Sequence, residues 1–211
     1  MLLNAFSSGP ADTNTYLIGC SRTHKAVLID TPQGSADWVL AQIKKHSLSI
    51  EMILLTHSHW DHTAEASLLK EKLQVPVYVH QEDAGNLEKP GSDRLPLFFP
   101  IPPVKPDGFL TDGQLITVGD LQIEVIHTPG HTPGGVCFYL PEQKVLISGD
   151  TLFQGTIGNL SFPTARPTLM WASLKRLAAL PPDTTVYPGH GDPTTIGEEQ
   201  WIINAQKRFS T

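Results

Sequence analysis

The peptide IEMILLTHSHWDH, which begins at Ile50, constrains the fold of this 211-residue chain more than any other stretch. Its first half, residues 50–55, is an apolar run of the length of a buried β-strand. Directly after that run stand three imidazoles and a carboxylate, those of His57, His59, Asp61 and His62. Core packing gives an apolar strand no reason to end in this way, whereas imidazole nitrogen and carboxylate oxygen are ligands of zinc and also suit iron. The spacing therefore predicts a metal site at the end of a buried strand.

These four side chains indicate two ions rather than one. His57 and His59 are two residues apart, so in an extended loop they point the same way and can bind one ion. Asp61 and His62 are adjacent and point differently, which suits a second ion close by. An interpretation as loop histidines and a helix-capping Asp accounts less well for four ligand types at this spacing.

Three later residues repeat the pattern of a ligand type just past an apolar strand. His131 follows LQIEVI within HTPGHTPGG, Asp150 follows VLI within SGDTLF, and His190 follows TVY within YPGHG. Each alone could be a turn residue. In an α/β fold, however, strand ends meet at one edge, where sites form. Together the seven groups, five His and two Asp, suffice for two metals that share one carboxylate.

Apolar strands and amphipathic helices alternate along the chain, which predicts layered α/β packing. The predicted strands cover residues 14–19 and 26–29 as a hairpin, 50–55, 75–79, two strands within 114–126, 134–140, 144–147 and 185–187. The predicted helices cover residues 35–46 with Ser35 as N-cap, 63–73, 168–180 and 198–209.

The segment 85–113 is rich in proline, which denies it regular structure. Its apolar residues favour a loop that folds back on the domain and forms a wall of the site, but a simple surface crossing fits equally well.

For three residues near the predicted site, the sequence allows two interpretations each. Asp30 either orients a ligand His or forms an Asx-turn, His127 either supports the site or is structural, and Trp60 either lines the pocket or covers a helix start.

Composition narrows the function classes. A formal charge of −6 argues against a nucleic-acid partner, and 40% hydrophobic residues are typical of a soluble globular domain. The two cysteines, Cys20 and Cys137, form no disulfide framework, which fits a reducing cytoplasm. No signal peptide and no transmembrane run is recognisable. We expect a cytoplasmic protein with one domain over residues 1–211, no membrane partner and an undetermined oligomeric state.

The motif THSHWDH, followed in order by His131, Asp150 and His190, resembles the metallo-β-lactamase superfamily. HTPGHTPGG, GDTLF and YPGHG resemble more closely its glyoxalase II (hydroxyacylglutathione hydrolase) branch, in particular the short bacterial-type members. The resemblance extends from Asn14 to about His190. It implies an αββα sandwich of two mixed β-sheets flanked by helices, with the site at one edge of the two sheets.

The same resemblance implies roles for the seven ligands. His57, His59 and His131 would bind the first metal. Asp61, His62 and His190 would bind the second, and Asp150 would bridge both. The cofactors would be two divalent ions, zinc first, with iron or manganese as alternatives. Asp61 and Asp150 are the expected catalytic carboxylates.

Two cations about 3.5–4 Å apart can ionise a bridging water at neutral pH and polarise a carbonyl. No G-x-S-x-G nucleophile motif is present. We therefore expect a hydrolase of small thioesters such as S-lactoylglutathione, or of a lactone or another ester. The alternative is an iron-dependent persulfide dioxygenase of the same fold, with His57, His131 and Asp150 as the iron triad. A binding module without chemistry fits seven intact ligands poorly.

Two departures from glyoxalase II concern the substrate. We expect no counterpart of the C-terminal helical region that helps long enzymes hold glutathione. After GDTLF, long members carry Lys and Tyr and many short members carry Arg and Asp, whereas this chain has Asn159 and Ser161. Arg166 could supply the positive charge. These three residues are the expected substrate contacts, and we expect glutathione to be held less tightly than usual.

Overall fold

Two six-stranded mixed β-sheets lie face to face in the computed structural model, which describes residues 1–209. The first sheet contains, in spatial order, β1 (Leu2–Ser8), β2 (Thr13–Gly19), β3 (Lys25–Ile29), β4 (Ser49–Leu54), β5 (Val77–His80) and β6 (Gly108–Leu110). The second contains β7 (Leu115–Val118), β8 (Leu121–His127), β9 (Val136–Leu140), β10 (Val145–Gly149), β11 (Thr185–Pro188) and β12 (Thr194–Thr195). Strands β3 to β6 are parallel, as are β10 and β11, and the other neighbours are antiparallel.

Helices cover the outer faces of both sheets. They are α1 (Ala36–His46), α2 (Trp60–Thr63), α3 (Ala66–Leu73), α4 (Gln81–Glu88), α5 (Pro167–Leu177), a 3-10 helix (Gln200–Asn204) and α6 (Ala205–Phe209). Helices α1, α3 and α4 pack on the first sheet, and α5 packs on the second together with the last two helices. The expected αββα sandwich is therefore confirmed.

The hydrophobic core has three layers because most strands bury both faces. Between the sheets, Ile29 and Leu54 of the first sheet pack with Phe138 of the second. The alternate residues of the same strands face outward: Leu28 packs beneath α1 and α3, and Cys137 packs beneath α5. Burial on both faces explains why the strands read as continuous apolar runs.

The predicted helix 63–73 is divided into α2 and α3 at Glu65. Glu65 leaves the helical conformation, with φ −110° and ψ 14°. Its carboxylate accepts hydrogen bonds from the Gly34 and Ala36 N–H groups, each at 2.7 Å. Ser35 precedes α1 as predicted, but its side chain makes no capping bond. Glu65 therefore satisfies the N–H group of the first residue of α1, Ala36, and one N–H group in the turn that precedes the helix, that of Gly34.

The proline-rich segment is more ordered than its sequence predicts. Helix α4 continues to Glu88, and β6 pairs with β5, so residues 89–107 and 111–113 of this segment lack regular structure. Ile101 and Val104 are buried, and the ring of Trp60 contacts those of Phe98 and Phe99. The loop thus folds back on the domain, as one of the two interpretations predicts.

Three further differences lie at the periphery. The edge strands β1 and β12 are not evident from the sequence pattern, and the predicted helix 198–209 is a short 3-10 helix followed by α6.

Within residues 1–209, no helix is long and apolar enough to cross a membrane.

Candidate metal centre

The seven predicted ligands meet at one edge of the sandwich. His57, His59, Asp61 and His62 follow β4 of the first sheet, whereas His131, Asp150 and His190 follow β8, β10 and β11 of the second. Their ligand atoms form three overlapping trios, and within each trio all atoms lie within 4.8 Å of one another. Residues far apart in the chain therefore form one cluster because their strands end at the same edge.

The first ligand group consists of His57, His59 and His131, all of them buried. His131 Nε2 lies 2.9 Å from His59 Nδ1. The Nε2 atoms of His57 and His59 are buried and have no hydrogen-bond partner. A buried polar atom without a partner is costly, so His57 Nε2 calls for a ligand, whereas His59 faces the group through Nδ1, the atom beside His131 Nε2.

The second ligand group consists of Asp61, His62 and His190. His62 Nε2 lies 3.3 Å from His190 Nε2 and 3.4 Å from Asp61 Oδ2, and His190 Nε2 lies 3.3 Å from the same oxygen. Ligands about 2.1 Å from a tetrahedral ion are about 3.4 Å apart. The spacing of these three atoms therefore fits a single ion.

Asp150 lies between the two groups. Its Oδ2 is 3.3 Å from His131 Nε2 of the first group and 3.6 Å from His190 Nε2 of the second. Its Oδ1 is 3.3 Å from His62 Nε2 but makes no hydrogen bond. The carboxylate can therefore contact an ion in either group.

Contacts on the far side of the rings orient three of the histidines. His62 Nδ1 pairs with Asp30 Oδ2 at 2.8 Å, His131 Nδ1 with the Asn159 carbonyl at 2.9 Å, and His190 Nδ1 with the Ala11 carbonyl at 3.0 Å. When Nδ1 is the donor, Nε2 is left with a lone pair for a metal. The contact of Asp30 is the one expected for orienting a ligand, and Asp30 also accepts from the Thr56 backbone and hydroxyl.

Burial sets the charge of two imidazoles in the first group. It lowers the pKa of His57 well below 6.5 and the pKa of His59 to about 3. Both rings are therefore neutral at pH 7, and a neutral imidazole is the form that binds metal.

The second group is instead a cluster of paired charges. Burial alone would lower the pKa of His62 and His190, but the carboxylates of Asp61 and Asp150 outweigh it, so the pKa of His62 rises well above 6.5 and that of His190 to about 9. Burial would raise the pKa of both carboxyls, but the charge on His62 outweighs it; the pKa of Asp61 falls to about 2 and that of Asp150 falls well below its usual range. A divalent cation can replace the imidazole protons in such a cluster.

A cavity of about 270 Å³ opens onto both groups. Its apolar wall is formed by Trp60, Leu95, Phe153 and Phe162, so Trp60 lines the pocket. Asn159 also lines it, but no lysine or arginine from the described part of the chain does. The described residues therefore offer metal ligands and apolar surface at this cavity, and no lysine or arginine to pair with an anionic substrate.

The other two expected substrate contacts lie outside this wall. Ser161 is exposed, and its N–H donates to Asn159 Oδ1 at 2.8 Å. Arg166 is exposed as well, and its guanidinium donates to the carbonyls of Thr164 and Ala165. Of the three expected contacts, the structure brings only Asn159 to the metal cluster.

A fourth trio of ligand types, His80, Glu82 and His127, lies beside the site. The two imidazoles are stacked at 4.0 Å with an interplanar angle of 11°, so their in-plane lone pairs do not converge. His127 Nε2 instead contacts the Pro133 carbonyl at 2.9 Å. His127 therefore supports the loop that carries His131, which is one of its two predicted roles.

Sequence reasoning missed the contribution of α4. Asp83 on this helix is 3% exposed. Its carboxylate accepts from the Ser58 N–H, in the loop that carries His57 and His59, and from the Gly134 N–H, in the loop that carries His131. The available signal was the polar run QEDAGN directly after a strand that ends at the ligand edge.

The family model described as the metallo-beta-lactamase superfamily matches residues 8–190. The chain belongs to that superfamily. Its metallo-β-lactamase fold and His/Asp cluster imply divalent metal ions.

Individual members of the superfamily narrow the comparison. Hydroxyacylglutathione hydrolase GloC of Haemophilus influenzae is 34% identical, over 83% of this chain and 84% of its own. The crystal structure of the B3 metallo-beta-lactamase BLEG-1 is 38% identical with a TM-score of 0.85, over 94% of this chain and 96% of its own. The crystal structure of TTHA1623 in a di-iron-bound form is 40% identical with a TM-score of 0.82, over 93% of this chain and 96% of its own. These similarities support a metal-dependent hydrolase and leave the substrate and the metal open.

Proposed function

We propose that the protein is a dinuclear metal-dependent hydrolase of small thioesters, with S-lactoylglutathione as the first candidate substrate. The observation that carries the proposal is the position of Asp150 between two groups of ligand atoms. The first group contains a buried ring nitrogen without a hydrogen-bond partner, and the atoms of the second have the spacing of ligands around one ion. The similarity to GloC favours a thioester.

In this proposal the ligands keep the assignment that the superfamily implies. His57, His59 and His131 hold the first ion, Asp61, His62 and His190 hold the second, and Asp150 contacts both. We propose zinc for both positions, since imidazole and carboxylate suit it; iron is the alternative, given the similarity to a di-iron protein.

When bound, the two ions supply a nucleophile derived from water at neutral pH and polarise the substrate carbonyl. The chain's own groups hold and enclose that centre. Asp61 Oδ2 accepts a hydrogen bond from Thr13 Oγ1 at 2.8 Å, which fixes the carboxylate that faces the cavity. The Phe162 ring lies edge-on to His59 at 5.5 Å and limits access of bulk water to the ligands.

The cavity wall suggests which part of a thioester is recognised. Trp60, Leu95 and Phe162 offer apolar contact to an acyl or thioalkyl group. Among the described residues, no lysine or arginine lines the cavity to pair with the two carboxylates of glutathione. We propose Asn159 as the main substrate contact and Ser161 and Arg166 as secondary contacts, since Arg166 would first have to leave the carbonyls of Thr164 and Ala165. S-lactoylglutathione should then bind weakly while the chemical step is preserved.

A second candidate is an iron-dependent persulfide dioxygenase. In that case His57, His131 and Asp150 would be the iron ligands, and the distance of 3.3 Å between His131 Nε2 and Asp150 Oδ2 is compatible with a shared ion. The di-iron form of TTHA1623 favours iron but not a particular reaction.

We further propose that residues 1–211 act as one domain in the cytoplasm on a small-molecule substrate, without nucleic acid. Both cysteines are buried and unpaired, as a reducing compartment allows.

The test combines metal analysis by mass spectrometry with a substrate panel of S-lactoylglutathione, S-lactoyl-N-acetylcysteamine, a lactone and a β-lactam. The proposal predicts two ions per chain and turnover of both thioesters. Oxygen uptake with glutathione persulfide by an iron-loaded sample, without thioester turnover, would favour the dioxygenase. Turnover of the lactone or the β-lactam alone would contradict the thioester assignment.

A further inference from the structure

Helix α4 holds the peptide between two of the proposed ligands. Ser58 stands between His57 and His59, and both of its backbone polar groups bond to this helix. Its N–H donates to Asp83 Oδ2 at 2.9 Å, and its carbonyl accepts from Asn86 Nδ2 at 2.7 Å. The direction in which the two neighbouring imidazoles leave the loop therefore depends on α4.

The same carboxylate reaches the second ligand loop. Asp83 Oδ1 accepts a hydrogen bond from the Gly134 N–H at 2.7 Å, three residues after His131. A Cβ at Gly134 would lie 2.6 Å from this oxygen, so the absence of a side chain permits the approach. One buried carboxylate thus ties together the two loops that carry His57, His59 and His131.

The second ligand group is held by other parts of the chain. His62 pairs with Asp30, and His190 contacts the Ala11 carbonyl. Asp61 accepts from Thr13 on β2. None of these contacts involves α4, so the bonds of this helix go to the first group alone. Asp30 reaches both groups, because the Thr56 hydroxyl that donates to it also contacts His57 Nδ1 at 3.0 Å.

We infer that Asp83 is a positioning residue for the first metal ion and not for the second. The inference rests on the ligand assignment proposed above. Asp83→Asn keeps the size of the side chain but replaces one acceptor oxygen by an N–H₂ group that faces a backbone N–H. One ligand loop must then shift, and loss of such a supporting contact lowers metal affinity by about tenfold to a hundredfold.

The test measures zinc affinity of the full chain by competition with a chromophoric chelator. His190→Ala isolates the first site, and His131→Ala isolates the second. Asp83→Asn is introduced into each background. The matched control is Asp107→Asn, a carboxylate that also accepts from a backbone N–H, that of Val77 at 2.8 Å, and pairs with Lys70 on α3, away from both ligand loops.

The inference predicts a loss of about tenfold to a hundredfold in zinc affinity for Asp83→Asn in the His190→Ala background. It predicts a change within about twofold in the His131→Ala background and for the control in both. Equal loss at both sites, unchanged affinity at the first site, or an equal effect of Asp107→Asn would overturn it.

Gly134→Ala provides an independent perturbation of the same contact should Asp83→Asn fail to fold. It is expected to weaken the first site selectively, and unchanged affinity there would contradict the inference. A wild-type chain that binds a single ion would contradict the dinuclear proposal instead. The role of Asp83 would then be decided by the affinity of that one ion.

Discussion

The metal edge and the stretch from Asn159 to Arg166 differ in how their side chains are held. At the metal edge, His62 and His131 are buried, and their rings are oriented by Asp30 and by a backbone carbonyl. In the other stretch, Ser161 and Arg166 are exposed. The backbone N–H of Ser161 donates to the Asn159 side chain, and the Arg166 guanidinium donates to the Thr164 carbonyl. In the proposed function, the packed strand ends therefore supply the chemistry, whereas substrate selection would depend on a loop that can change without disturbing them.

Loss of Asp150 should have the largest effect. Its carboxylate contacts both ligand groups, so Asp150→Ala should remove metal from both and lower kcat/KM by more than about a thousandfold. The sandwich has its own core, so the metal-free variant should melt within a few degrees of the metal-free wild type. Metal analysis, thioester kinetics and thermal unfolding measure the three quantities. Normal metal content in Asp150→Ala would show that Asp150 is only a turn residue at the end of a strand.

Asp30→Asn should have the next largest effect, on metal affinity. The amide would place an N–H₂ group against the Thr56 N–H or against His62 Nδ1, so the orientation of the His62 ring would be lost. We expect a loss of about tenfold to a hundredfold in zinc affinity. Asp37→Asn, at an exposed position of α1, is the control. Equal zinc affinities of the two variants would show that Asp30 only stabilises the backbone turn in which it lies and does not orient a ligand.

Asn159→Lys should change substrate binding and leave the metals in place. An added cation at the cavity wall can pair with a glutathione carboxylate, and one charge-assisted contact contributes roughly 1.5–3 kcal/mol. We expect KM for S-lactoylglutathione to fall about tenfold or more, with kcat nearly unchanged. S-lactoyl-N-acetylcysteamine lacks both carboxylates and should show no gain. A wild-type KM already in the low micromolar range, or an unchanged KM, would exclude this position as a glutathione contact.

Arg166→Gln should have the smallest effect. The guanidinium bonds to its own neighbours rather than to the cavity, so KM for S-lactoylglutathione should change by less than about threefold. Steady-state kinetics on both thioesters is sufficient. An increase in KM of tenfold or more, confined to the glutathione thioester, would instead show that Arg166 turns towards the substrate.

The ligands could be predicted from the sequence because each follows an apolar strand, and strand ends converge in this class of fold. The break at Glu65 could not, since it depends on hydrogen bonds to the start of a helix about 30 residues earlier. Asp83 was missed for the same reason: its partners lie 25 and 51 residues away. The conformation of Arg166 depends on a choice between solvent, substrate and nearby carbonyls, which no sequence pattern records.

In the proposed dinuclear centre, two ions share Asp150. A crystal of the zinc-loaded protein, measured at the zinc absorption edge, tests this arrangement most directly. We expect two anomalous peaks about 3.5–4 Å apart, one beside His57, His59 and His131 and one beside Asp61, His62 and His190. A single fully occupied peak, with His190 unligated in zinc-saturated crystals, would contradict it.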